Sequence, residues 1–373
     1  MKKIYYLSTE CFAQVDLGII HLLSQKYDVV YGLMIHGDDV NFSEKELNEY
    51  CAKHAIRYEL FTFKYRKRDI RIGLEFLDVL KSVRKFKPDI IYTVSHEIPI
   101  LSLMCFPFRK KNTIVAMHDV ISHSDTQFQL FIDISKKITF AHFKYFHVFS
   151  DNQEQIFTKM FPRKKVYNIP LNLTDFDGVN LVKNPVVKNN NKIKFLFFGN
   201  ILYYKGLDIL IRAVNNLSKK YQNFELVIAG RCADWDAVYE PIIDSKVNVK
   251  KIIRIIDNAE IPALFLSSHY LILPYRDATQ SGPLMIAYNY NVPVIASDIP
   301  AFRESVEEGA SGFLFDLENL QALETVLEAA LMRDDETYNI IKYKLNKYVN
   351  SKFSSESIKA RYQLMFSEVM GKV

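Results

Sequence analysis

The chain has 373 residues, 49% of them hydrophobic and 24% charged, with a formal net charge of +5. This length exceeds what one hydrophobic core usually serves, so we expect two domains. The composition is that of a globular protein, and no run of about 18 apolar residues is present that would indicate a membrane-spanning helix. The N-terminal MKKIYYLSTE predicts a first strand rather than a signal peptide.

The four cysteines are scattered, with neither CxxC spacing nor paired histidines nearby. We therefore expect reduced thiols in a cytoplasmic protein, and no metal site.

Apolar segments separated by helical patterns predict an α/β first half. The predicted strands are Lys3–Leu7, Asp28–Ile35, Ile90–Val94, Thr113–Met117 and Tyr145–Phe149. The segment 175–191 loses this periodicity, contains Pro185 and an asparagine run, and is typical of a linker.

The second half restarts the same alternation. Strands are predicted at Ile193–Phe198, Glu225–Ala229, Lys251–Ile256, Tyr270–Leu273, Val294–Ala296 and Phe313–Phe315, and helices at Leu207–Leu217, Ile261–Leu266, from Pro283, and from Leu320 onward. Regular alternation favours two doubly wound parallel sheets facing a central cleft. We predict an N-terminal domain over 1–174, a linker over 175–191, a second domain over 192–345, and a C-terminal helix over 346–373 that packs on the first domain.

The charge is unevenly distributed, since residues 1–190 carry a net +6 and residues 191–373 a net −1. Basic residues, among them Lys64, Arg66, Lys67, Arg68 and Arg71, alternate with aromatic ones. Such a surface is typical of binding to anionic lipid or nucleic acid, although a solvated helix face explains it equally well.

The stretch Leu271–Ser297 is the most informative in the chain. It predicts a strand, a polar turn, a helix with Pro283 at its first position, and a second strand. Thr279, Gln280, Ser281 and Gly282 then lie at the helix N-terminus. Backbone N–H groups and the helix dipole suit an anionic group there, typically a phosphate. No GxGxxG follows any strand, which disfavours a nicotinamide-dependent enzyme.

Five strings in order resemble the retaining glycosyltransferases of family 4, which have the two-Rossmann GT-B fold. They are FFGNILYYKG (197–206), FELVIAG (224–230), IPALFLSSHYLILPYRDATQSG (261–282), PVIAS (293–297) and ESVEEGASGFLF (304–315). The first half is similar only through TIVAMHD (113–119), VFSD (148–151) and VYNIP (166–170).

The resemblance implies roles for individual residues. Lys205 would contact the donor diphosphate, and His118 would lie beside the transferred sugar. Ser281–Leu284 would line the donor phosphates and sugar, and Glu304 matches a family glutamate, although it could instead cap its own helix. The further donor-binding positions are Gly199, Asn200, Thr279 and Gln280.

The chain also departs from the family pattern. Two glutamates common in the family are replaced by Ala278 and Ile286, and a basic residue before the lysine is replaced by Leu202. Arg231 or Arg276, each after a predicted strand, could supply the missing positive charge.

We therefore expect a retaining, metal-independent hexosyltransferase without a cofactor, which acts in the assembly of surface polysaccharide. Its donor would be UDP- or GDP-linked, and its acceptor a glycan or a lipid-linked glycan. An anionic membrane surface, and no nucleic acid, is the expected macromolecular partner, with the protein peripheral at the inner face of the plasma membrane. Two alternatives stay open: a weakly active homologue that acts as a scaffold, and a sugar-nucleotide epimerase of the same fold. An epimerase would need carboxylates and histidines clustered in the cleft, which the sequence does not indicate.

Overall fold

The computed structural model describes residues 1–36, 44–65, 69–96, 98–121, 129–176 and 192–371. The chain divides into two compact units. Unit 1 comprises Met1–Asn172 and Ser355–Val373, and unit 2 comprises Leu173–Ser354. Each unit contains one parallel sheet covered by helices, as the alternation of strands and helices predicts. The predicted α/β class with two Rossmann-like domains is therefore confirmed.

Unit 1 is built on a sheet of seven parallel strands in the order β3-β2-β1-β4-β5-β6-β7. The strands are β1 (Lys3–Thr9), β2 (Asp28–His36), β3 (Arg57–Phe63), β4 (Ile90–Val94), β5 (Thr113–Met117), β6 (Tyr145–Val148) and β7 (Lys165–Asn168). The helices are α1 (Ala13–Ser24), α2 (Glu44–Lys53), α3 (Ile72–Phe86), α4 (Pro99–Met104), α5 (Gln129–His142), α6 (Asp151–Met160) and, from the C-terminal segment, α13 (Ser355–Val369).

The two faces of this sheet carry separate hydrophobic cores. Helices α1, α2 and α13 cover one face, and α3, α4, α5 and α6 cover the other. This division follows from the strand order, because right-handed crossovers on either side of β1 place their helices on opposite faces.

Polar groups are buried on the α13 side of the unit 1 sheet. Asp16 of α1 accepts a hydrogen bond of 2.8 Å from the Tyr6 hydroxyl, and burial raises the pKa of this carboxyl to about 7. His147 Nε2 lies 2.9 Å from the Ile169 carbonyl oxygen, so Nε2 carries the proton and Nδ1 accepts from the Tyr92 hydroxyl at 2.6 Å. Burial lowers the pKa of His147 to about 4, so this ring is neutral at pH 7.

Unit 2 contains six parallel strands in the order β10-β9-β8-β11-β12-β13. The strands are β8 (Ile193–Phe198), β9 (Phe224–Ala229), β10 (Val249–Ile252), β11 (Tyr270–Leu273), β12 (Val294–Ser297) and β13 (Gly312–Phe315). The helices are α7 (Leu207–Ser218), α8 (Ile261–Leu266), α9 (Gly282–Asn289), α10 (Pro300–Ser305), α11 (Leu320–Met332) and α12 (Asp335–Lys352).

Two strands of unit 1 are missing from the prediction. Both β3 and β7 are edge strands whose residues are mostly half-buried or exposed, so neither shows the continuous apolar run of a central strand. The predicted strand Lys251–Ile256 is also placed wrongly, since β10 occupies Val249–Ile252. It too is an edge strand, with a weak apolar signal.

Three further predictions concern the bounds of segments. Most of the predicted linker, residues 177–191, lies outside the described residues. Helix α12 continues past the predicted boundary at residue 345 to Lys352. The solvated helix face considered for residues 64–71 is wrong, because α3 begins only at Ile72; residues 66–68 of that segment are outside the described part.

In the described part of the chain, no helix combines the length and apolarity that spanning a membrane requires.

Candidate functional site

The carboxyl ends of neighbouring strands in unit 2 bring several predicted donor-binding residues together. Gly199 follows β8 with φ 109°, and Gly230 follows β9 with φ 154°. A Cβ atom on Gly230 would lie 2.0 Å from the Gly199 carbonyl oxygen, so the two loops approach each other closely. Glycine is required at position 230, because a side chain there fits neither the backbone conformation nor the space, and the positive φ of Gly199 also favours glycine.

Lys205 lies at the centre of this region. It belongs to a 3₁₀ turn, Tyr203–Lys205, and its side chain is buried, with 8% exposure. Its Nζ lies 5.5 Å from the centroid of the Tyr275 ring, and a Cβ on Gly199 would lie 3.0 Å from Nζ and 3.6 Å from Pro283 Cγ. Lys205, Gly199 and Pro283 are therefore neighbours, as the predicted donor site requires.

The charge of Lys205 has no carboxylate partner among the described residues. Burial lowers the pKa of this ammonium to about 8, so it is still mostly protonated at pH 7. A buried cation without a counter-ion is costly, and an anionic ligand would remove that cost.

Arg276 holds the turn that carries Lys205. Its guanidinium binds Asp208 of α7 through two hydrogen bonds of 2.7 and 2.8 Å, and it donates to the Tyr203 carbonyl oxygen at 2.9 Å. Its backbone N–H donates to the Tyr204 carbonyl oxygen at 2.7 Å. The charge of Arg276 is therefore matched by Asp208, which makes it a positioning residue rather than a substitute for the missing cation.

The start of α9 offers fewer backbone donors than the sequence suggests. Gly282 is its first residue and Pro283, which has no N–H, is its second. The N–H of Leu284 is satisfied by the Ser281 side chain at 3.3 Å, which caps the helix. Within the first three helical positions, the N–H of Gly282 is the one that stays available for a ligand, because no described group accepts from it.

Gly282 also leaves room for a ligand, since a Cβ placed on it would meet no described atom within 4 Å. Thr279 and Gln280, in the preceding loop, are half-buried. Asn200 and Arg231, which follow β8 and β9, are exposed at the same edge of the sheet.

Glu304 does not cap its helix. It lies in the last turn of α10, whose N-cap is Ile299, and its carbonyl oxygen accepts a hydrogen bond from Lys352 Nζ. Capping is thus excluded as the explanation for this glutamate, because a carboxylate caps the start of a helix and not its end. Its predicted contact with the donor stays a prediction.

The substituted family positions have structural consequences. Ile286 is buried within α9, where it belongs to the packed interior of unit 2, and Ala278 is half-buried. Leu202, at the position of the family's basic residue, is exposed and accepts a backbone hydrogen bond from Lys205.

Unit 1 has a pocket of about 160 Å³ at the carboxyl ends of its central strands. Its titratable lining comes from the end of β2, from residues after β1, β4 and β5, and from α5. These residues are Glu10, Cys11, His36, His96, His118, Asp119 and Lys136. Among the described residues, no three His, Cys, Asp or Glu side chains are arranged to bind a metal ion.

His118 is enclosed by aromatic rings within this pocket. It stacks on Phe12 with ring centroids 3.6 Å apart and on Phe149 with centroids 4.4 Å apart. Desolvation of the ring lowers the pKa of His118 to about 3, although Asp119 nearby acts in the opposite direction. His118 is therefore a neutral hydrogen-bonding group at pH 7.

His96 is the second enclosed histidine. Burial lowers its pKa to about 4, and its Nε2 has no hydrogen-bond partner among the described residues. His36 Nδ1 lies 3.6 Å from Glu10 Oε2. Local sequence patterns do not indicate this cluster, because its members come from the ends of different strands, about 110 residues apart for Glu10 and Asp119. The available signal is that each of its histidines and carboxylates lies within three residues of the end of a predicted strand.

Residues 192–333 match the protein family "Glycosyl transferases group 1". A protein of Klebsiella pneumoniae described as "Uncharacterized 41.2 kDa protein in cps region" is 22% identical over 206 residues, which cover 53% of this chain and 54% of that protein. An "Uncharacterized glycosyltransferase" of Haemophilus influenzae is 28% identical over 163 residues, 42% of this chain and 44% of that one. The chain thus spans about half the length of the curated relatives it matches.

Several solved structures share the fold over nearly the whole chain. Sucrose-phosphate synthase from Thermosynechococcus elongatus superimposes with a TM-score of 0.76 at 14% identity, covering 100% of both chains. Anabaena Alr3699/HepE in complex with UDP and glucose gives 0.73 at 16% identity, with 99% of this chain and 100% of that chain covered. UDP-GlcNAc 2-epimerase from Neisseria meningitidis gives 0.62 at 15% identity, with 98% and 100% covered.

These similarities, together with the two parallel-sheet units, confirm the predicted GT-B fold. The family match falls on the segment that contains Lys205 and the start of α9. The match to the glycosyl transferases group 1 model therefore lies within the second unit, in the segment whose sequence motifs resemble these enzymes.

Proposed function

We propose that the protein is a retaining glycosyltransferase that moves a sugar from a UDP- or GDP-linked donor to a glycan or lipid-linked acceptor. The observation that carries this proposal is the buried ammonium of Lys205, which has no carboxylate partner among the described residues. It lies beside Gly199 and Pro283, and the neighbouring Gly282, where an added Cβ would meet no described atom within 4 Å, leaves room for a phosphate. The phosphates of a nucleoside diphosphate would supply the negative charge that the buried ammonium of Lys205 lacks.

The proposed role of Lys205 is to stabilise negative charge on the departing diphosphate. The acceptor hydroxyl oxygen bonds to the anomeric carbon while the bond from that carbon to the phosphate oxygen breaks. The diphosphate then takes the hydroxyl proton on the same face of the sugar, so the anomeric configuration is retained. Charge that develops on the leaving group is greatest in the transition state, where a fixed cation is most effective. In this proposal, Lys205 and the start of α9 supply the stabilisation, without a metal ion or cofactor.

The proposed acceptor site is the pocket of unit 1. The neutral His118 ring can exchange hydrogen bonds with a sugar hydroxyl, and the aromatic rings around it keep that ring in place. The relative described as a protein in a cps region supports a role in polysaccharide assembly. The second unit supplies the donor chemistry in this scheme, and the first unit supplies acceptor specificity.

A sugar-nucleotide epimerase is the second candidate. The clustering of Glu10, His36, His96, His118 and Asp119 in unit 1 favours it, since proton transfer at a sugar carbon needs such groups. The pKa values of His96 and His118, about 4 and about 3, weigh against it, because both rings are neutral and poor proton acceptors at pH 7.

The decisive experiment incubates the full-length protein with a panel of UDP- and GDP-sugars and analyses the nucleotide products by chromatography. Nucleoside diphosphate release that increases with an added acceptor supports glycosyl transfer, and proton NMR of the product gives the anomeric configuration. Conversion into an isomeric sugar nucleotide without release supports the epimerase. Binding without any turnover would support the scaffold alternative.

Gly282→Val tests the position of the donor. Because a Cβ on Gly282 meets no described atom, we expect the variant to fold normally and to lose nucleotide affinity through a clash with the ligand. Gly282→Ala is the graded control and should lose less. Unchanged affinity in the valine variant would refute the placement of the phosphates at the start of α9.

A further inference from the structure

The outer surface of unit 1 exposes large apolar side chains on three adjacent helices. Helix α4 packs between α3 and α5: Gly73 of α3 lies against Ile100 and Met104, and Ser102 is hydrogen-bonded to Ser135 of α5 at 2.5 Å. The exposed apolar residues of these helices and of the turn that follows α4, which we call the outer apolar face, are Leu74, Leu77, Leu103, Phe106, Leu130, Phe131 and Ile134. Leu74 is 63% exposed and Leu130 is 70% exposed.

The spacing on each helix places these residues on one side. On α3, Leu74 and Leu77 are followed at intervals of four and three residues by Lys81 and Arg84, so all four share a helical face. On α5, Leu130 and Ile134 are followed at the same face by Lys137. Both helices therefore begin apolar and continue basic.

The two helices also run in the same direction. Each follows a strand of one parallel sheet, so the apolar ends of α3 and α5 lie at the carboxyl edge of that sheet. The pocket described above opens at this edge, and α4 and α5 contribute Leu101 and Lys136 to its lining. Two of the three helices that carry the outer apolar face thus also contribute a residue to the pocket.

The surrounding charge favours an anionic partner. Between Ile70 and Lys144, the described residues include eleven lysines and arginines and five aspartates and glutamates. Exposed apolar side chains that cluster on adjacent helices are typical of interaction surfaces, and basic residues next to them are typical of surfaces that bind anionic lipid.

We propose that unit 1 docks on an anionic lipid bilayer through the outer apolar face, with the basic residues of α3 and α5 contacting lipid headgroups. The leucines and phenylalanines would enter the headgroup region, and the pocket would then open next to the membrane. This inference concerns a second surface of the protein and does not depend on the proposed donor chemistry. It also assigns the membrane partner predicted from the sequence to helices rather than to the segment 64–71.

The test is flotation of the full-length protein with vesicles of phosphatidylcholine, prepared with or without phosphatidylglycerol. We expect binding only to the vesicles that contain phosphatidylglycerol, and weaker binding as salt is added. The triple variant Leu77→Gln, Phe131→Gln, Ile134→Gln should lose binding. The triple variant Lys81→Gln, Arg84→Gln, Lys137→Gln should bind more weakly by about fivefold for each charge removed.

Matched control variants distinguish an effect of the outer apolar face from a general effect of removing apolar or basic side chains. Met332→Gln, Ile340→Gln, Leu364→Gln removes three comparably exposed apolar side chains elsewhere. Lys220→Gln, Lys246→Gln, Lys250→Gln removes three exposed lysines of unit 2. Both controls should bind like the wild type. Circular dichroism of each variant verifies folding.

Three results would overturn the proposal. The first is equal binding by the apolar variant and its control, and the second is binding that does not depend on phosphatidylglycerol. The third is a concentration-dependent dimer in size-exclusion chromatography that only the outer-face variant abolishes, because the face would then cover a second copy of the chain.

Discussion

The two units differ in how they hold charge at the carboxyl ends of their sheets. Unit 2 buries one ammonium, that of Lys205, without a described carboxylate beside it. Unit 1 encloses several titratable groups, but burial keeps His96 and His118 neutral at pH 7. In the proposed function, the first arrangement binds an anion and the second binds an acceptor rich in hydroxyl groups. A few side chains at the strand ends therefore give two similar sheets different electrostatic environments.

The largest expected effect concerns Lys205. In Lys205→Ala, turnover should fall by about 10²- to 10³-fold, with a smaller loss of donor affinity, because the ammonium acts mainly on the departing diphosphate. Steady-state kinetics and nucleotide titration by calorimetry measure the two effects separately. Lys220→Ala, which removes an exposed lysine of the same unit, is the control. Near wild-type turnover in Lys205→Ala would indicate that Arg231, and not Lys205, stabilises the departing diphosphate.

The pH dependence of stability should distinguish the two units. The pKa of Asp16 is raised to about 7 from 3.8, so the folded state holds a proton that the unfolded state releases. The contribution of Asp16 to the free energy of unfolding of unit 1 is therefore most favourable below pH 4. It decreases by at most about 4 kcal/mol as the pH rises toward 7.

Asp16→Asn should abolish this decrease. Urea unfolding followed between pH 5 and pH 8 measures the effect. Asp298→Asn, at an exposed ion pair of unit 2, should leave the pH dependence unchanged. A wild-type unit 1 whose stability is constant between pH 5 and pH 8 would contradict the raised pKa.

A smaller effect is expected at Asp208. In Asp208→Asn, the bidentate contact with Arg276 is weakened and the turn Tyr203–Lys205 becomes less constrained, so kcat/KM should fall by about tenfold. The double variant with Arg276→Gln should lose little more than either single variant, because both changes break one contact. Strictly additive losses would show that the two side chains act separately.

The smallest effect is predicted for His118. Because its pKa is lowered to about 3, it does not change charge between pH 6 and pH 8. The profile of kcat/KM against pH should therefore keep its shape in His118→Asn. Lys205, with a pKa of about 8, should instead cause activity to decrease above pH 8 as it loses its proton. A step between pH 6 and pH 7 that disappears in His118→Asn would indicate an acid–base role for this histidine.

The arrangement of residues around Lys205 was easier to predict from the sequence than the pocket of unit 1, for a physical reason. Lys205, Gly282 and Pro283 lie in short local motifs, a turn after a strand and a helix start, which follow from nearby residues. The pocket of unit 1 depends on which strands become neighbours, and His36 and His118 come together only through the strand order. Edge strands β3 and β7 were missed because half of their surface stays polar.

The partners of charged side chains could not be predicted from the sequence either. Arg276 follows a predicted strand as Arg231 does, and nothing local indicates that Asp208, 68 residues earlier, binds it. Similarly, Glu304 was considered as a cap because its position within α10 depends on where that helix starts. Both cases concern side-chain partners, which periodicity does not encode.

The return of the chain to unit 1 has a consequence for synthesis on the ribosome. Helix α13 packs into a core through residues that include Ile358, Met365 and Phe366, and every buried member of that core from outside α13 belongs to the first 170 residues. Its Tyr362 hydroxyl also lies 3.5 Å from that of Tyr92. Unit 2 is translated in between and can fold as soon as it emerges, whereas unit 1 must wait with one face of its sheet partly uncovered. A nascent chain arrested before Ser355 should therefore be a strong target for chaperones, although most of unit 1 has already been made.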